Sequence, residues 1–217
     1  MFKTTFHFNT FIAILLSAGI VSGQVTGVKY FIKHNTKTNL YDCHLIITEG
    51  SATSAIHRTQ FNAQYSIVAP TGSIMQIAER YFPLQDHQTY TGTKPCDWKI
   101  ASVIRTPEVT PDKDYFGIVP TLGPSAQYDN IKAGDTIKIF SLSVEPKPKN
   151  TLEVRIFDNA TDPTSSGTGM RGANFGNGFT IGGVTQCYSG NYIYTPSNAG
   201  KNSDKSKSKD SKMKSKG

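Results

Sequence analysis

The clearest pattern in the chain is a period of two between residues 133 and 158, which read AGDTIKIFSLSV, a polar EPKPKN and then TLEVRIFD. Leu152, Val154 and Ile156 alternate with Glu153 and Arg155. One face is apolar and the other charged, which predicts a half-buried strand. Earlier in the run, Ile137 and Ile139 alternate with Thr136 and Lys138 before the phase shifts to Phe140, Leu142 and Val144. That shift is the mark of a bulge or of a strand crossing a sandwich edge. Pro146 and Pro148 lie in the connection and cannot donate to a central ladder. The two runs are expected to form the central hairpin of an antiparallel sandwich.

The same pattern recurs along the chain. Residues 25–33 predict a first strand, and in residues 40–50 Tyr41, Cys43, Leu45 and Ile47 share a face while Asp42 and His44 point away. A strand over 61–68 is stopped by Pro70-Thr71-Gly72, and residues 73–81 fit a short helix or a strand. Residues 98–104 form another strand, with the lone Trp98 expected in the core. After Asp158 the composition turns to Gly, Ser, Thr, Asn and Asp, which marks loops and turns. There Asn177-Gly178 is a two-residue hairpin signal, and Phe175, Phe179 and Ile181 are expected to tuck the loop onto the sandwich. A last strand falls in 186–194. Nine or ten short strands without a long helical period predict an all-β fold, a single antiparallel β-sandwich.

The two ends differ from the rest. Residues 1–23 carry Lys3, an apolar run over 11–21 and small residues Ser22-Gly23, the organisation of a secretory signal peptide with cleavage before Gln24. The run is shorter than the roughly 20 apolar residues of a membrane anchor, so the mature protein is expected to lack a transmembrane segment and to be secreted or held at the cell surface. Residues 24–195 are the expected sandwich domain, and 196–217 a disordered Lys/Ser-rich tail.

The tail also explains the charge. Residues 201–217 hold seven Lys and two Asp, and the signal holds Lys3, so of the net +7 only +1 remains for residues 24–200. A nearly neutral body argues against a nucleic-acid partner. The tail is either a solvated extension or a contact for an anionic envelope polymer such as polysaccharide, lipopolysaccharide or a membrane surface. Of Cys43, Cys96 and Cys187, export permits one bridge plus a buried free thiol, with three buried thiols as the alternative.

No reaction is specified by these residues. Gly167, Gly169 and Gly172 spell G-x-G-x-x-G, but Asp162-Pro163 precedes them and FGNGF follows, so the strand and helix of a dinucleotide site are missing. The histidines show neither metal spacing nor a nucleophile-elbow setting. Asp158, Asn159, Thr161 and Asp162, with Asp112 and Asp114 from a neighbouring loop, have the oxygen chemistry of a Ca²⁺ site. They fit better as Asx turns that cap their own backbone, and no other cofactor is expected. Tyr90, Tyr128, Tyr188, Tyr192 and Tyr194 lie in loop-like stretches, where tyrosines stack on sugars, anchor a protein partner or fill space beneath loops.

In order, Tyr41 to Ile47, Gln64 to Gly72, Trp98, DYFGIV over 114–119, AGDTIKIFSLSV, RIFDNATDP over 155–163 and Tyr188-Ser-Gly-Asn191 resemble the secreted cohesin-like β-sandwich domain of Bacteroidetes surface proteins. The resemblance spans most of residues 25–194, with AGDTIKIFSLSV and RIFDNATDP the most specific pieces. It implies a jelly-roll sandwich used for extracellular adhesion or scaffolding without an enzymatic site. Relatives of this kind are longer and end in a sorting module, from which this chain departs in its Lys/Ser tail. The expected function is thus a non-enzymatic surface or matrix protein acting through a protein partner or self-association. The alternative is a carbohydrate-binding module with Tyr188 and Tyr192 beside a Ca²⁺ held by Asp158 and Asp162. A hydrolase would need two facing carboxylates in a cleft.

Overall fold

A computed structural model describes residues 23–88, 92–184 and 186–193. The expected signal peptide up to Ser22 and the Lys/Ser-rich tail lie outside the described residues, as do Tyr90 and Tyr194. The strands are β1 (Gly27–Asn35), β2 (Leu40–Glu49), β3 (Ser51–Ala52), β4 (Gln60–Pro70), β5 (Ile74–Arg80), β6 (Gln85–Asp86), β7 (Lys94–Pro95), β8 (Trp98–Arg105), β9 (Lys113–Pro120), β10 (Ala126–Gln127), β11 (Ile131–Lys132), β12 (Thr136–Glu145), β13 (Arg155–Ile156), β14 (Gly178–Ile181) and β15 (Tyr188–Asn191). Nine have four residues or more and six are two-residue pieces. The only described helical turns are Ala55–Arg58 and Thr151–Glu153. The fold is all-β.

Two main sheets carry the structure. The first has the order β15-β1-β2-β12-β5, and the second β13-β4-β9-β8, with β14 pairing the other half of β4. The described pairings are antiparallel except β15 against β1, which is parallel. The sheets meet in one core in a sandwich-like arrangement. From the first come Tyr30, Cys43, Leu45, Phe140 and Leu142, and from the second Tyr65, Ile67, Phe116, Ile118 and Trp98. Tyr30 and Tyr65 stack at 4.4 Å. Each also reaches across with its hydroxyl, Tyr30 donating to Gly178 O at 2.5 Å and Tyr65 to Phe31 O at 2.7 Å. Buried tyrosines keep their hydroxyls satisfied in this way, and burial raises both phenols far above the usual tyrosine range.

The phase shift in the Ile137–Val144 run is a bulge. Lys138 pairs His44 and Phe140 pairs Cys43, so Ile139 is the extra residue, and both Ile139 and Phe140 are buried. The predicted hairpin partner is not there. β12 is flanked by β2 and β5, and the chain crosses to the second sheet, where only Arg155 and Ile156 form strand pairs, with Val68 and Ile67 of β4. Residues Thr151–Glu153 form a 3-10 turn capped by Asn150, whose side chain accepts from Leu152 N at 3.0 Å. Alternation gives the faces of a strand but not its neighbour.

The long loop after β13 forms a third layer. Phe157, Met170 and Phe175 bury against Val68 and Tyr115 on the outer side of the second sheet. Asn177-Gly178 is not a hairpin turn. Asn177 is buried, accepts from Ser66 N at 2.7 Å and donates to Phe157 O at 2.6 Å, and Gly178 starts β14. Successive turns at Gly167, Met170 and Ala173 place Met170 in this cluster, so the glycines of G-x-G-x-x-G shape a loop. All three cysteines are buried and free, which corrects the expected bridge.

Candidate functional site: a groove at the β13 and β15 edges

The two open sides of the sheet pair differ. On one, β5 and β8 are joined by Arg80 Nε, which contacts both Asp97 carboxylate oxygens at 2.9 Å. Arg105 adds a bond to Ser73 O and an ion pair with Asp114 at 2.6 Å. On the other side, β15 and β13 end their sheets and a groove of about 1230 Å³ opens between them. Its walls come from the end of β1, the turn Thr151–Glu153, the loop 158–161 and residues 188–193. Leu152, Tyr192 and Ile193 stand at its rim with 79%, 38% and 78% of their surface exposed. Isolated exposed apolar residues are ordinary, whereas here three share one groove rim.

The tyrosines here are held in place. Tyr188 packs on Tyr30 at 4.9 Å, donates to Asn191 Oδ1 at 2.7 Å, and is pushed up to about 12 by burial. Tyr192 sits edge-on to Phe31 at 5.6 Å, and its backbone N–H bonds Tyr30 O at 2.8 Å. Asn191 Nδ2 donates to Phe157 O at 2.9 Å, tying β15 to the β13 side. Tyr41 also lines the groove. It is buried, and its hydroxyl has no hydrogen-bond partner among the described residues.

Of the predicted residues, Asp158, Asn159, Thr161, Tyr188 and Tyr192 come together at this groove. Tyr128 does not. It is a core residue, 1% exposed, with its hydroxyl 2.5 Å from Gln60 Oε1. The calcium set is not assembled either. Asp162 receives Arg155 through two bonds of 2.6 Å and Asp158 N at 2.7 Å. Asp114, fully buried, accepts from Arg105, Gly72 N at 2.9 Å and Thr106 N at 3.0 Å. Asp158 accepts from Ala160 N at 2.9 Å, as an Asx turn does. Among the described residues no three His, Cys, Asp or Glu side chains are grouped to hold a metal ion.

Leu152, Ile193 and Tyr41 were not legible as site residues. Leu152 and Tyr41 read as buried strand positions. Asn150 ahead of Thr151-Leu152-Glu153 was the available signal, since Asn caps helical turns. Elsewhere, Asp42 and Glu79 both accept from Ser141 Oγ, and Lys138 lies 2.8 Å from Asp42 and 4.0 Å from Glu79. Asn35 also donates to Asp42, and Lys138 to the Tyr81 hydroxyl at 2.9 Å. Among the described residues no helix is long and apolar enough to cross a membrane. Comparisons with protein-family models, with curated proteins and with solved structures find no match. The cohesin-like resemblance therefore rests on the sequence motifs alone.

Proposed function

We propose that this chain is an exported, non-enzymatic surface or matrix protein that acts in adhesion or scaffolding by holding a partner in the groove between β13 and β15. The gathering of Leu152, Tyr192 and Ile193 at its rim, above the pre-positioned Tyr188, is the observation that carries this reading. Rigid aromatic side chains in a partly apolar depression bind with little loss of conformational freedom. The signal-like N-terminus and the cohesin-like motifs agree with an extracellular role.

The test is retention on native cell envelope and matrix material at low and high salt. It compares the protein starting at Gln24, the same protein lacking residues 201–217, and the Leu152→Asp/Ile193→Asp double variant. Both altered side chains are largely exposed, so the fold is expected to persist, as circular dichroism would check. Retention at high salt by the first two forms but not by the double variant supports the groove. Retention that needs the tail and vanishes with salt places binding on the Lys run instead.

A further inference from the structure

We infer that the ligand of this groove is an uncharged glycan, recognised by side chains rather than by strand addition. The inference rests on the groove being the binding face.

Three observations carry it. First, neither edge offers a regular run of free backbone groups. β13 has only two paired residues, and β15 is interrupted by Gly190 at φ +121° and by a register shift between its two pairings with β1. A peptide joining by strand addition needs an even ladder of N–H and C=O groups, and bulged, short edges resist it. Recognition is left to side chains.

Second, the charges in the groove cancel. The Arg155 guanidinium is answered by both Asp162 oxygens, and the lining otherwise holds one Lys, Lys33, and one carboxylate, Asp158. An anionic polymer gains little from a wall whose arginine is already matched.

Third, the groove offers an exposed aromatic and apolar rim. Tyr192 is held by Phe31 and remains exposed, as a platform for the C–H face of a sugar ring requires. Leu152 and Ile193 extend that apolar surface along the rim. Tyr41 lies in the wall behind them, its buried hydroxyl without a hydrogen-bond partner among the described residues. Alternating apolar faces and hydroxyls are the chemistry of a neutral saccharide.

Affinity electrophoresis tests this with the protein from Gln24 in gels containing laminarin, xylan, mannan, hydroxyethyl cellulose or anionic alginate, at low and high salt. Retardation by at least one neutral polysaccharide is expected, insensitive to salt and weakened at least about tenfold by Tyr192→Ala. Tyr81→Ala, an exposed tyrosine elsewhere on the surface, is expected to bind as the parent does. No retardation by any neutral polysaccharide overturns the inference, as does retardation by alginate alone or retardation unchanged by Tyr192→Ala. The envelope assay separates the two readings. If the Leu152→Asp/Ile193→Asp variant loses envelope retention while no polysaccharide retards the parent, the groove stands and the glycan falls. If that variant keeps its retention, the groove itself falls.

Discussion

Asn177 shows how much one buried amide fixes. Its oxygen accepts from Ser66 N and its nitrogen donates to Phe157 O, so it joins β4 to the start of the covering loop, and Asn159 bonds both its N–H and its C=O. Asn177→Ala leaves the buried Ser66 N–H unpaired, at a cost of about 1–3 kcal/mol, while Phe157 O keeps its bond from Asn191. A loss of about 1–3 kcal/mol in urea denaturation is expected, with the denaturant slope unchanged. An unchanged midpoint contradicts this account. In the sequence the pair Asn177-Gly178 carries a turn signal, because local chemistry cannot reveal a partner more than a hundred residues away. Asp42 gives a second residue-scale case. Burial opposes its ionisation, but hydrogen bonds from Lys138, Ser141 and Asn35 outweigh that and hold its carboxyl below the ordinary carboxylate value. A lowered folded-state value means the stabilisation is complete above the unfolded value of about 3.9 and is lost as pH falls through the folded one. Asp42→Asn is therefore less stable than the parent at pH 7. The gap is expected to narrow below about pH 4 in urea midpoints taken from pH 7 to pH 3.

Strands were easy to find at the scale of elements, and their neighbours were not. The faces of β2 and the bulge of β12 were legible because the side-chain period alone determines them. The connection from β12 to β13 is not legible in the sequence, because a hairpin within a sheet and an arch between sheets leave the same alternation. The two prolines argue only against a ladder in the connection. Asn150 and the exposed Leu152 show where the pattern stopped being a strand. The turn-rich stretch 157–177 was legible as a loop, and its Phe175 as a tether. That it builds a second apolar cluster around Met170, on a face an antiparallel sheet often leaves to solvent, was not. Truncation there creates a cavity, and Met170→Ala is expected to cost about 2–5 kcal/mol. Hydrogen exchange is expected to quicken over residues 159–177 while β1 and β2 keep their protection. Uniform quickening across the molecule would mean that the loop is part of the main core's cooperative unit.

At the scale of the whole molecule, closure is unequal. The β5 and β8 side is drawn together by ion pairs whose arginines are 41% and 47% exposed, and pairs between exposed groups, such as Arg80 and Asp97, are worth only about 0–1 kcal/mol. The Arg80–Asp97 pair sets geometry more than it supplies stability, which must come chiefly from the shared core. The cysteines test that assignment. An exported chain permits a disulfide, but pairing is decided by Cα separation and side-chain direction, which composition does not contain. Cys43 lies on the inner face of β2, Cys96 bonds through its N–H to Leu84 O at 2.9 Å, and the Cys187 thiol donates to Val25 O at 3.4 Å. Burial raises all three thiols above their ordinary value, so the reactive thiolate is scarce near neutral pH. The native protein is expected to react with a thiol reagent only as fast as it opens, and the unfolded protein to yield three thiols. The melting temperature is expected to be the same with and without reductant. One thiol in the unfolded, unreduced chain would instead reveal a bridge, and a covalent cross-link would then share the stabilising role assigned here to packing between the sheets.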